Sequence, residues 1–248
     1  SLLRPHWRGL VWRRALLADI LRVGLAGMVS TVATNVAIGL CTALVGRFGP
    51  AAIAGYGTGA RLEYLLVPLV FGLGGPLIAM VGTCIGAGDR ARALRATWIG
   101  VGIASALAEC VGLAAALFPA AWLSLFDSRP EMIAAGSQYL RIVGPFYGFF
   151  GLGLGLYFAS QGAGRLFWPV MGNIARLAVA ALGGWLALRL SAGLAGVYWA
   201  QAVALAVYGL LNAGAVAGGA WFGRLHWPSA PTALLRRIDR RAERPIRP

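Results

Sequence analysis

Charged residues sit in short clusters, and between them the chain is apolar over lengths typical of membrane-spanning helices. Val23 to Gly46 is uncharged for 24 residues, Tyr64 to Gly88 for 25, Ile142 to Gly164 for 23 and Leu190 to Gly223 for 34. Two more runs each carry one ionisable residue: Ala96 to Phe126 holds Glu109, and Leu166 to Leu188 holds Arg176. About 20 mostly apolar residues cross a bilayer as a helix. The pattern predicts six transmembrane helices, at about 21–46, 54–87, 93–118, 135–161, 166–189 and 194–222. The short alternating strands of a transmembrane barrel do not occur. The expected fold class is an all-α membrane bundle of six spans over residues 21–223, flanked by segments 1–20 and 224–248.

The flanks are basic. In 1–20, Leu3, Trp7, Leu10, Val11 and Leu17 can share one stripe, with Arg4, Arg8, Arg13 and Arg14 elsewhere, which fits a linker helix lying in the membrane interface. The Arg-rich, Pro-punctuated tail 224–248 suits a juxtamembrane segment attracted to anionic lipid. With six spans, the segments before the first helix, after the second, after the fourth and after the sixth share one side. They carry sixteen arginines against four on the other side. That asymmetry predicts cytoplasmic termini and a bacterial plasma (inner) membrane location.

Composition strengthens this picture. Of 248 residues 59% are hydrophobic and 12% charged, half the charged fraction usual for a soluble domain. The positive charge behind the net +14 is carried entirely by arginines, nearly all of which flank apolar runs. They form no aromatic-interleaved patch, so nucleic acid is not an expected partner. Cys41, Cys84 and Cys110 lie inside apolar runs and read as packing residues. No Ser-His-Asp set, metal cluster or phosphate loop stands out, and His6 and His226 lie outside the spans. The expectation is a protein that is not an enzyme and has no cofactor.

Two segments echo each other. The second span has Pro68, then Gly72, Gly74 and Gly75, and closes on Gly-Ala-Gly at 86–88. The fourth has Pro145, glycines at 148, 151, 153 and 155, and closes on Gly-Ala-Gly at 162–164. Proline kinks a helix and frees a carbonyl, so Pro68 and Pro145 are candidate hinges, and glycine stripes let helices approach closely. Asp89 is placed to cap the third helix.

Ionisable residues inside spans are candidate functional groups. Glu109 reads as a protonation or cation site, or as a hydrogen-bonded glutamate between helices. Glu63 reads as a cation or substrate carboxylate, or as an interfacial glutamate in water. Arg61, two positions earlier, points another way round the helix. The glycine-rich entry Gly55, Gly57 and Gly59 is expected to keep that helix end open to water. Arg176, below Asn173, either snorkels to the interface or pairs with a carboxylate. Asn35, Tyr147, Tyr157 and Gln161 either line a cavity for a flat cation or pack helices.

"MVGTCIGAGDRARALRATWIG" (80–100) resembles the end of the second helix in each half of multidrug and toxic compound extrusion (MATE) transporters. "YLRIVGPFYGFFGLGLGLYFASQGAGR" (139–165) resembles the fourth helix of the family's C-terminal half, and "AAIAGYGTGARLEYLLVPLVFGLG" (51–74) the segment entering its second helix. The resemblance covers about residues 15–222. It implies one lobe of a twelve-helix transporter, the C-terminal half, with an N-terminal six-helix lobe as partner in the bilayer. The activity it implies is export of organic cations or amphipathic drugs in exchange for H⁺ or Na⁺. One branch of the family carries acidic residues where this chain has Thr34 or Asn35 and Phe150, so that branch's coupling site is not carried over. A lipid-linked saccharide flippase of the same broad fold would need a basic cavity, to which only Arg61, Arg141 and Arg176 can contribute. A non-transporting membrane scaffold is the third reading.

Overall fold

The computed structural model describes residues 14–222. The tail 224–248, the first thirteen residues of the linker 1–20, His6 and His226 lie outside the described residues. The helices are α1 (Arg14–Val45), α2 (Pro50–Gly86), α3 (Arg90–Leu117), α4 (Pro119–Leu123), α5 (Pro130–Val143), α6 (Tyr147–Gly162), α7 (Phe167–Arg189) and α8 (Gly193–Ala217). Six segments among the described residues are long and apolar enough to cross a membrane, α5 and α6 together forming the fourth.

Helix ends follow the local sequence. Pro50, Pro119 and Pro130 open α2, α4 and α5, where a missing N–H leaves nothing unpaired. Asp89 caps α3 by accepting the Arg92 N–H at 2.9 Å. Both Gly-Ala-Gly turns close their helices in the same way. Gly88 (φ 77°) and Gly164 (φ 67°) take the left-handed conformation. The amides of Asp89 and Arg165 then reach back to the carbonyls of Cys84 and Ser160, both at 2.9 Å. The sequence echo is therefore one capping device used twice.

The prolines behave differently. α2 continues through Pro68 and also Pro76. At Pro145 the fourth span is interrupted by a 3-10 turn, Gly144–Phe146, before α6 resumes at Tyr147.

Lipid offers helices little hydrophobic reason to associate, so close packing and polar contacts carry the bundle. α6 sits near the middle, against α2, α3 and α8, while α7 packs on α8 and α1 packs on α7. Glycine permits the closest approaches. A Cβ on Gly112 of α3 would lie 2.2 Å from the Gly144 carbonyl oxygen, and one on Gly162 would lie 2.5 Å from that of Ile78. α1 keeps an outward apolar face that includes Leu21, Leu25, Met28 and Val32.

Candidate functional site

Arg176 of α7 donates through Nη2 to Glu63 Oε1 of α2, across 113 positions of sequence. Side-chain exposure is 7% for Arg176 and 17% for Glu63. At 1.5 Å rise per residue, each stands about 20 Å along its helix from Pro50 and from Arg189 respectively, well inside the span. The guanidinium therefore does not snorkel: it stays buried because a carboxylate meets it there. Two opposite charges in low dielectric are tolerable only together, since either one alone keeps its desolvation cost without the attraction.

The surroundings are aromatic. The Arg176 guanidinium carbon lies 5.4 Å from the Phe150 ring centre on α6 and 5.9 Å from that of Tyr208 on α8. Such contacts add to the hold on a desolvated cation. Tyr147 and Tyr139 lie within electrostatic reach of Glu63. Tyr56, Tyr139 and Tyr198 form a ring cluster with centroids 5.2 to 6.4 Å apart. Arg176 Nε and Tyr198 Oη are buried without a hydrogen-bond partner among the described residues. Buried polar atoms usually have partners, so this region holds spare hydrogen-bonding capacity.

Glu109 is half-buried on α3 and does something else. Its Oε2 accepts the Gly148 N–H at 2.6 Å, and Ser105 Oγ, one turn earlier, donates to the Gly148 carbonyl at 2.8 Å. Glu109 thus links α3 to α6 through a hydrogen bond to the Gly148 amide.

The other candidates divide. Arg61 is exposed, with its guanidinium 5.2 Å from the Phe126 ring centre, and makes no pair with Glu63. Asn35 and Thr34 bond back to the Thr31 and Ser30 carbonyls of their own helix, at 2.9 and 3.0 Å. Gln161 donates to Tyr157 Oη at 3.2 Å on α6. Tyr147 is fully buried at 0% exposure, packed in the core. The glycine entry is not open as expected. Gly55 packs on the α5 backbone and Gly59 on the Tyr139 ring, because their missing side chains let α5 approach; only Gly57 faces outward. An apolar groove of about 340 Å³ runs along α1, lined by Leu25, Met28, Val29, Val32 and Val36 with Leu177, and includes none of these polar residues.

Sequence reasoning missed Tyr208, Ser105 and the Tyr56–Tyr139–Tyr198 cluster. A signal existed for part of this. Tyr198, Gln201, Tyr208 and Asn212 recur at helical spacing within the long uncharged run, and all four are buried.

Comparisons with known proteins bear on the fold and the family. No curated protein matches the sequence. Several solved structures share the fold. A MATE transporter in complex with MaL6 superposes with a TM-score of 0.78 at 20% identity, over 89% of this chain and 51% of that one. The Vibrio cholerae MATE transporter VcmN in its bent form gives 0.74 at 15% identity, over 90% and 51%. A multidrug resistance MATE family transporter of the MOP superfamily, in an outward-facing conformation, gives 0.71 at 15% identity, over 80% and 44%. The chain thus spans about half the length of the solved transporters it matches. The MatE family model matches residues 28–186, and the chain accordingly belongs to the MatE family of membrane transporters.

Proposed function

We propose that this chain is one six-helix half of a secondary transporter that exports organic cations or amphipathic drugs in exchange for protons, with Glu63 the coupling carboxylate and Arg176 its internal counter-ion. The observation that carries the reading is the buried pair joining α2 to α7. A proton on Glu63 removes the negative charge. Arg176 then keeps its positive charge in a desolvated site with its main partner gone, and the balance that holds α2 against α7 changes. A proton suits this site better than Na⁺. A metal ion would need several oxygen ligands around Glu63, whereas a proton needs neither new ligands nor space. An organic cation approaching Glu63 competes with that proton, which links export to proton entry. The second six-helix lobe completes the cavity, and the arginine asymmetry supports cytoplasmic termini in a bacterial plasma membrane.

The flippase reading is disfavoured by the same geometry. Arg61 and Arg141 are exposed, and Arg176 is neutralised by Glu63, so these three arginines do not combine into a basic cavity.

The test uses the intact transporter in proteoliposomes, with ethidium as substrate and an imposed pH gradient. Glu63→Gln is expected to lower gradient-driven transport by an order of magnitude or more; because it strands the Arg176 charge, Glu63→Gln with Arg176→Met, which leaves neither charge buried alone, serves as the stability control. Wild-type transport by that variant at every pH overturns the role of Glu63. A wild-type protein that moves no ethidium under any gradient favours the scaffold reading.

A further inference from the structure

We infer that Glu109, with Ser105, is a positioning pair that caps α6 from a neighbouring helix and so sets Tyr147 and Phe150 against the Glu63–Arg176 pair. Pro145 and the turn Gly144–Phe146 break the fourth span, so α6 begins as a new helix whose first amides lack the usual carbonyl partners. A side chain at the N-cap normally meets one of them, but here the N-cap is Phe146, which offers no acceptor. Glu109 supplies that acceptor from α3, 39 positions away, and the helix dipole favours a carboxylate at this end. Ser105 holds the carbonyl of the same residue, so both backbone polar groups of Gly148, in two successive peptide units, are held from α3. Glycine leaves room for this contact: a Cβ on Gly148 would lie 2.7 Å from Glu109 Oε2 and 3.1 Å from Glu109 Cβ, so alanine there would push the carboxylate aside.

The grip acts at the right place. Phe150, two residues on, lies about 200° round the helix from Gly148 and faces the Arg176 guanidinium. Tyr147 is the first residue of α6 and lies within electrostatic reach of Glu63 and Arg176. Holding the Gly148 backbone fixes the rotation and axial position of both rings. The inference concerns Glu109 as a hydrogen-bond acceptor and rests on the reading of Glu63 as the coupling carboxylate.

The test follows two readouts in the intact transporter: hydrogen–deuterium exchange of the segment from Tyr147 to Leu156, and the pH midpoint of gradient-driven ethidium transport. Glu109→Ala is expected to speed exchange in that segment and move the midpoint by about half a pH unit or more. Glu109→Gln keeps an oxygen acceptor and is expected to retain wild-type behaviour in both. Gly148→Ala displaces the carboxylate from the other side, while alanine favours helix, and is expected to act like Glu109→Ala. If Glu109→Ala does not fold, Gly148→Ala and Ser105→Ala carry the test. Wild-type exchange and midpoint in these variants overturn the inference while Glu63 keeps its role, provided Glu63→Gln still abolishes the pH dependence. Equal shifts in Glu109→Gln and Glu109→Ala overturn it as well, because charge rather than the acceptor would then matter. A pH profile indifferent to Glu63→Gln removes the coupling reading and the positioning role with it.

Discussion

Two carboxylates, Glu63 and Glu109, stand deep inside the described spans, and they are used in opposite ways. Glu63 meets a guanidinium on another helix, deep in the bundle and surrounded by aromatic rings. Glu109 meets a backbone amide at the edge of a broken helix and is half-buried. The first contact is charge on charge, and its strength depends entirely on both partners staying ionised. The second is a charge-to-dipole contact that a neutral amide side chain can replace. A residue's cost of burial therefore does not reveal its role; what its partner loses when the charge changes does.

The largest expected effect comes from leaving Glu63 alone. Arg176→Met keeps the volume of the stem but strands a buried carboxylate. It should lower stability by about 3 kcal/mol or more, read as a fall in unfolding temperature and yield in detergent. Adding Glu63→Gln to that variant should recover much of the loss, since the remaining groups are neutral. A double variant as damaged as the single one would mean that packing, not charge, dominates the site.

The seam between α3 and the fourth span comes next. Gly112→Ala would drive a Cβ to 2.2 Å from the Gly144 carbonyl oxygen, where backbone must move. A loss of about 2–3 kcal/mol is expected, with Gly75→Ala as the control, because nothing lies within 4 Å of a Cβ there. Equal effects at the two glycines would show that the seam is looser than its geometry.

The smallest effect is expected at the pair outside the spans. Arg129 donates to Asp127 at 2.7 Å and holds that carboxyl below its ordinary value of 3.8. Because the folded pKa is lowered, any stability from the pair is present above the ordinary value and is lost as pH falls through the lower one. Arg129 is exposed and Asp127 partly so, and screening leaves such a pair little. Asp127→Asn should unfold at nearly the wild-type temperature at neutral pH. A clear drop would show that this loop contributes as the buried pair does.

Much of the architecture was legible because membrane spans are written as uncharged runs of the right length, and capping signals such as Asp89 and the Gly-Ala-Gly turns act locally. The site was legible as single residues and not as pairs. Glu63 and Arg176 stand out because charge inside apolar sequence is rare, yet nothing local says that residues 113 positions apart meet. The same limit produced the open glycine entry: Gly55 and Gly59 look like loosened helix until α5 is seen to fill their space. Glu109 was visible, but its partner is a backbone amide freed by a proline on another helix, and no side-chain pattern encodes that.

The central claim is that Glu63 gives up a proton when an organic cation binds. Proton release on adding ethidium to the intact transporter, read with a pH dye in weakly buffered detergent solution, tests it most directly. The account predicts release from the wild type at a pH low enough to protonate Glu63 and break its pair with Arg176, rising with occupancy, and none from Glu63→Gln at matched occupancy. Undiminished release from Glu63→Gln would contradict it and move the coupling group to another residue.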